Sequence, residues 1–164
     1  MPIRLSAILL ALTFSAATLL AAGAPKPPTP KKLEALESQT IEVMKAKAAA
    51  LNIQGVAVVS YAPGTTVDNW TSKMAVVGRL TDPKASVNGN NLLGIAYAKS
   101  AEMASTLQDS GTAKRPPMTG EFGWQGGTIL RVSSGHIIIA FSGGKSEDDL
   151  QVSKAGLEIM KNGL

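Results

Sequence analysis

Residues 126–164 read GGTILRVSSGHIIIAFSGGKSEDDLQVSKAGLEIMKNGL. The first half predicts a tight β-hairpin. Stretches 128–133 and 136–142 are rich in β-branched and apolar residues, and Ser134-Gly135 between them suits a two-residue turn. That turn sets a register in which Ser133 faces His136, Val132 faces Ile137 and Leu130 faces Ile139. One face then carries Thr128, Leu130, Val132, Ile137, Ile139 and Phe141, nearly all apolar. The other carries Ile129, Arg131, Ser133, His136, Ile138 and Ala140, polar only near the turn. A central hairpin covered on both sides, with its turn at the surface, accounts for both patterns. Ser142-Gly143-Gly144 makes a corner, and a helix follows with Ser146 as N-cap and Asp149 three residues on, as in a capping box.

Upstream, residues 112–125 form a loop with Pro116-Pro117, Gly120, Gly123 and two aromatics, Phe122 and Trp124. Residues 91–107 read as a helix, with Leu92, Ile95, Ala96, Lys99, Met103 and Thr106 along one side, and Ser110-Gly111 stops it. Residues 81–90 are a polar loop. The run 56–62 (VAVVSYA) reads as a buried strand, and 67–70 and 73–80 as one or two more strands paired antiparallel to it. Residues 31–52 carry Leu33, Leu36, Ile41, Met44, Ala48 and Leu51 at helical spacing, with Thr29 to cap the helix and Pro30 at its first position. The order is αβββαββα, with one β open to splitting.

The first 24 residues read as a secretory signal peptide. Arg4 is the basic start, 7–22 the apolar run, and Ala22-Gly23-Ala24 the small-residue cleavage site. Residues 25–30 (PKPPTP) form a Pro-rich linker, and 31–164 a single domain. The expected location is secreted or periplasmic, with no membrane span after cleavage. Removing Arg4 from sixteen basic side chains leaves fifteen against twelve acidic ones, a net charge of +3, scattered too thinly for nucleic acid. There is no cysteine and a single histidine, which excludes thiolate metal sites, a cysteine nucleophile and a multi-histidine zinc site. No paired nucleophile and base is legible, so an enzyme is the least supported class.

Several features of the chain together resemble the GlcG/HbpS family of haem-binding and haem-degrading proteins. They are Gly126-Gly127 before a strand, the Ser134-Gly135 turn, Ser142-Gly143-Gly144, the acidic helix start Glu147-Asp148-Asp149, and Ala155-Gly156. The first helix leading into VAVV and the step Ala98-Lys99-Ser100-Ala101 are similar too. The resemblance covers most of the chain after residue 24. It implies an α/β (α+β) domain with a central antiparallel sheet flanked by helices, profilin-like. It also implies haem as a cofactor or ligand, and homo-oligomers.

The candidate residues each carry two readings. His136 is either a haem or metal ligand or a polar residue flanking a turn. Ser142, Gly143 and Gly144 either present backbone N–H groups to an anion or form a tight corner whose donors the helix start satisfies. In the stretch 119–127 (TGEFGWQGG), Phe122 and Trp124 offer flat apolar surface, Glu121 a polar handle, and Gly126 and Gly127 close backbone approach. The same loop also suits packing on the domain or on a neighbouring subunit. Lys99 meets an acidic ligand, or, if buried, acts as a base after losing its proton, or snorkels at a helix edge. Met44, Met74, Met103, Met118 and Met160 are thioether donors or core filler. Asn69-Trp70-Thr71 is a glycosylation sequon. Three functions follow: a secreted haem-binding or haem-handling protein, a non-catalytic module for another small ligand, or a structural oligomer-forming domain.

Overall fold

A computed structural model describes residues 26–164; the signal peptide read over 1–24 lies outside the described residues. The first helix, α1 (Pro30–Ala50), starts as its residue types dictate. Pro30 fixes the first turn, and the Thr29 hydroxyl accepts the Lys32 N–H at 3.3 Å. Leu33, Ile41, Met44 and Ala48 form its buried stripe. The helix ends two residues before the expected 52, where Leu51 caps it and Asn52 turns the chain at φ 54°.

The sheet is built from β1 (Gly55–Pro63), β2 (Thr71–Val77), β5 (Gly127–Val132) and β6 (Gly135–Ser142), in the order β2-β1-β6-β5, antiparallel throughout. Between β2 and the second helix lies a small ribbon of β3 (Thr81–Asp82) and β4 (Asn90–Asn91). The expected polar loop at 81–90 therefore closes on itself as two paired strands. The segment 67–70 is not a strand. Instead Val67 and Trp70 pack against the cluster of Met103, Ile138 and Ala140.

Helices cover both faces. Ala57, Val59, Tyr61, Ile137, Ile139 and Phe141 pack on one side with Leu33, Ile41 and Met44 of α1 and with Val152 and Met160 of α3 (Ser146–Gly163). On the other side, Val56 and Val58 meet Leu92, Ile95 and Ala96 of α2 (Leu92–Thr106), while Ile138 and Ala140 meet Met103. Strands covered on both faces carry continuous apolar runs rather than alternation. β6 is buried along its whole length.

Three expectations need correction. First, the central pair is β1–β6, and β5 is an edge strand, so the hairpin is only half central. Second, the hairpin turns at Ser133-Ser134, not Ser134-Gly135. Val132 pairs with Gly135, Arg131 with His136 and Leu130 with Ile137. The shift is two residues, so the faces survive, as a period of two requires. The cause is β1: Gly135 pairs with Pro63, where an added Cβ would run into the Ala62 carbonyl and lie 3.0 Å from the Tyr61 hydroxyl. Glycine is thus used for close approach inside the sheet, and the Tyr61 hydroxyl pins the turn by donating to the Ser134 carbonyl at 2.8 Å. Third, the cap of α3 is Lys145, with no side-chain cap bond, and Ser146 is already helical. Asp149, expected to close a capping box, is turned elsewhere. Helix α2 ends where expected, with Leu107 as its cap in the left-handed conformation at φ 53°.

Candidate functional site

Lys99 falls on the apolar side of α2, in line with Leu92, Ile95, Ala96 and Met103, and helical packing carries it inside, where it is 3% exposed. A buried ammonium needs partners. Its Nζ donates to the Phe141 carbonyl and to Asp149 Oδ2, each at 2.8 Å. The other carboxylate oxygen of Asp149 accepts the Gly144 N–H at 2.8 Å. Gly126 packs behind the pair, where an added Cβ would meet Lys99 Nζ and sit 2.7 Å from Asp149 Cβ. Burial lowers the Lys99 pKa and raises that of Asp149, and each charge opposes the shift of the other.

This pair forms the floor of a small cleft of about 100 Å³ between α2, the β6–α3 corner and the loop before β5. Of the nine candidate ligand residues, Lys99, Trp124, Ser142, Gly143 and Gly144 line it. Asn90 and Ser146 add an amide and a hydroxyl. Trp124 and Phe122 remain 45% and 46% exposed, with ring centroids 4.8 Å apart and planes tilted by 33°. The result is a polar slot beside an open aromatic surface.

The remaining candidates do not line the cleft. Gly126 and Gly127 are buried, Gly127 against Met103. The Glu121 carboxylate is committed to its own loop. It takes a two-pronged bond from Arg115 at 2.7 and 2.8 Å, plus the Met118 N–H at 2.9 Å. Those bonds, the Arg115 guanidinium first, hold its pKa down at about 2. His136 is 2% exposed, its Nδ1 without a hydrogen-bond partner in the protein. Burial, and then the facing Arg131, lower its pKa. Met44, Met103 and Met160 are core residues, Met74 packs beside α2, and Met118 is 53% exposed.

Asp149 is the site residue that sequence reading missed. The available signal was Lys99 itself, a lysine on an apolar helix face that demands a buried acid. A larger, open groove of about 460 Å³ runs between Val67–Trp70 and Ala101, Ala104 and Ser105 of α2, with Asp68 and Asn69 on its lining. Among the described residues no group of three or more His, Cys, Asp or Glu is placed to hold a metal ion. Among them, too, no helix is long and apolar enough to cross a membrane.

A four-stranded antiparallel sheet between helices, with a glycine corner leading into an acidic helix, defines an α/β domain of a recognisable kind. Two solved structures share the fold. One is Klebsiella pneumoniae protein ORFY of family DUF336, with TM-score 0.55 and 16% identity over 77% of this chain and 88% of that one. The other is a PduOC:haem complex, with TM-score 0.54 and 15% identity over 82% and 95%. No protein-family model and no curated protein matches the sequence.

Haem fits the Lys99 cleft poorly. Iron takes axial histidine, cysteinate, methionine or tyrosinate ligands, and none of these residue types lines the cleft. Its volume, about 100 Å³, is also below the roughly 300–1,000 Å³ of pockets that enclose drug-sized ligands. His136 lines neither the cleft nor the groove along α2.

Proposed function

We propose that the chain is a non-catalytic binding protein for a small planar ligand, of the GlcG/HbpS type. The ligand stacks on Trp124 and Phe122 and places a polar edge in the Lys99 cleft. The observation that carries this reading is the exposed aromatic pair at 4.8 Å, one member of which lines a cleft with a buried ion pair as its floor. Exposed aromatic rings beside fixed polar groups are the composition of a ligand site. The Gly144 amide already serves Asp149, and the Asp149 carboxylate lines the cleft, so the cleft favours a hydrogen-bonding edge over a free anion.

Haem is the second reading, favoured by the fold shared with a haem complex. In that reading the porphyrin lies on the aromatic pair, and iron ligation plays no part in holding it within the cleft. The test is quenching of tryptophan fluorescence by haemin and by iron-free protoporphyrin IX. Saturable quenching by both, weakened at least tenfold in Phe122→Ala/Trp124→Ala as followed by porphyrin absorbance, supports the reading. Absorbance changes no different from those with an unrelated protein, or identical in the double variant, would sink it.

Export belongs to the same proposal. The apolar run after Arg4 and the Ala22-Gly23-Ala24 step support cleavage before Pro25. Intact mass of protein recovered from an exporting host checks this, and retention of residues 1–24 in the recovered protein would count against it.

A further inference from the structure

We propose that a second ligand site lies under the loop before β5, independent of the Lys99 cleft, and that it takes a small organic cation such as a primary ammonium or an amidinium. The cavity measures about 230 Å³ and is bounded by Glu102, Gly111, Ala113, Arg115, Pro117 and Gly123. It shares no lining residue with the Lys99 cleft.

Glu102 carries the argument. It is 3% exposed, on the inner side of α2. Its Oε1 accepts the Gly111 N–H at 2.8 Å, whereas Oε2 is buried and has no hydrogen-bond partner in the protein. A buried carboxylate oxygen left unpaired is costly, and native structures rarely tolerate one without a purpose. The nearby cation does not answer it. Arg115 spends its guanidinium on Glu121 at 2.7 and 2.8 Å, on Ser105 Oγ at 3.0 Å and on the Pro116 carbonyl at 3.0 Å. Glu102 thus lines the cavity with no counter-charge in hydrogen-bond contact with Oε2, and the Arg115 charge acts on it only at a distance.

A ligand N–H bearing positive charge supplies what Oε2 lacks, a charge-assisted hydrogen bond. A metal ion does not suit the site, because no cluster of three acidic or imidazole ligands exists among the described residues. An anion is disfavoured by Glu102 itself. The side walls, Ala113 and Pro117, suit a short apolar remainder, and the volume limits the ligand to a few carbon atoms or one ring.

The test titrates the purified protein with benzamidinium and n-butylammonium, and with benzamide and n-butanol as neutral counterparts. The readout is the amide resonance of Gly111, which hydrogen-bonds to the same carboxylate. The expected result is a saturable shift with both cations and none with the neutral compounds. Glu102→Gln keeps an acceptor for Gly111 and should weaken cation binding at least tenfold. Ala113→Leu fills the cavity without touching Glu102 and should abolish the shift, so the question stays decidable if the Gln variant does not fold. Equal response to charged and neutral probes, no saturable shift, or undiminished binding in both variants would overturn the proposal and leave a cavity that holds water only.

Discussion

Lys99 and Asp149 hold each other inside the protein, and neither is tolerable alone. Lys99→Met leaves a buried carboxylate without its counter-charge, a change that typically costs about 3–5 kcal/mol. Urea unfolding should show that loss. The double variant Lys99→Met/Asp149→Asn should recover most of it, because asparagine still accepts from Gly144. The single variant's deficit should shrink in acid. Burial already raises the Asp149 pKa, so the folded state binds a proton that the unfolded state has released, and stability falls as pH rises through that window.

Glu121 behaves in the opposite sense. Its pKa is lowered from 4.5 to about 2, so its contribution is fully present above 4.5 and is lost as pH falls toward 2. The protection of the Met118 amide against exchange, relative to its intrinsic rate at each pH, should fall over that range, and Glu121→Gln should remove that pH dependence. At this scale the sequence was legible only in part. Lys99 stood out against its apolar neighbours, but its partner lies fifty residues away across the fold. Glu121 looked like a free polar handle because nothing local reveals that Arg115 folds back onto it.

The elements were more legible, because local patterns generate them. The spacing of Leu33, Ile41, Met44 and Ala48 makes α1, and Thr29-Pro30 starts it. Alternation assigned every residue of the hairpin to a face, and the two cores keep that assignment. The turn itself was misread. A Ser-Gly pair is a good turn in isolation, but β1 takes Gly135 for close approach and pushes the turn back to Ser133-Ser134. Gly135→Ala tests this directly. Its methyl would strike the Ala62 carbonyl, and overpacking of this kind typically costs about 1–3 kcal/mol. A variant of unchanged stability would mean that the β1–β6 junction is looser than described. The β3–β4 ribbon escaped notice because two-residue strands carry too few residues for any periodicity to register.

At the scale of the whole molecule, three helices among the described residues enclose a four-stranded sheet, and the stacked rings of Phe122 and Trp124 stay exposed beside a polar cleft. The family resemblance also led to an expected oligomer. Light scattering should then give a multiple of the mass of one chain, and a monomer mass at micromolar concentration would count against assembly. The layered α/β arrangement followed from continuous apolar runs in β1 and β6, which only a sheet covered on both faces can use. The position of the cleft was not legible, because it joins residues 82–99, 124 and 142–149 from separate parts of the chain.

The central claim concerns that place. Paramagnetic broadening of backbone amide resonances by ferric haemin locates a bound planar ligand directly. Broadening centred on residues 122–124 and 142–146, reversed by an excess of iron-free protoporphyrin IX, is the predicted result. Broadening centred on His136 or on the groove at 67–70 and 101–105, or none at all, would contradict it.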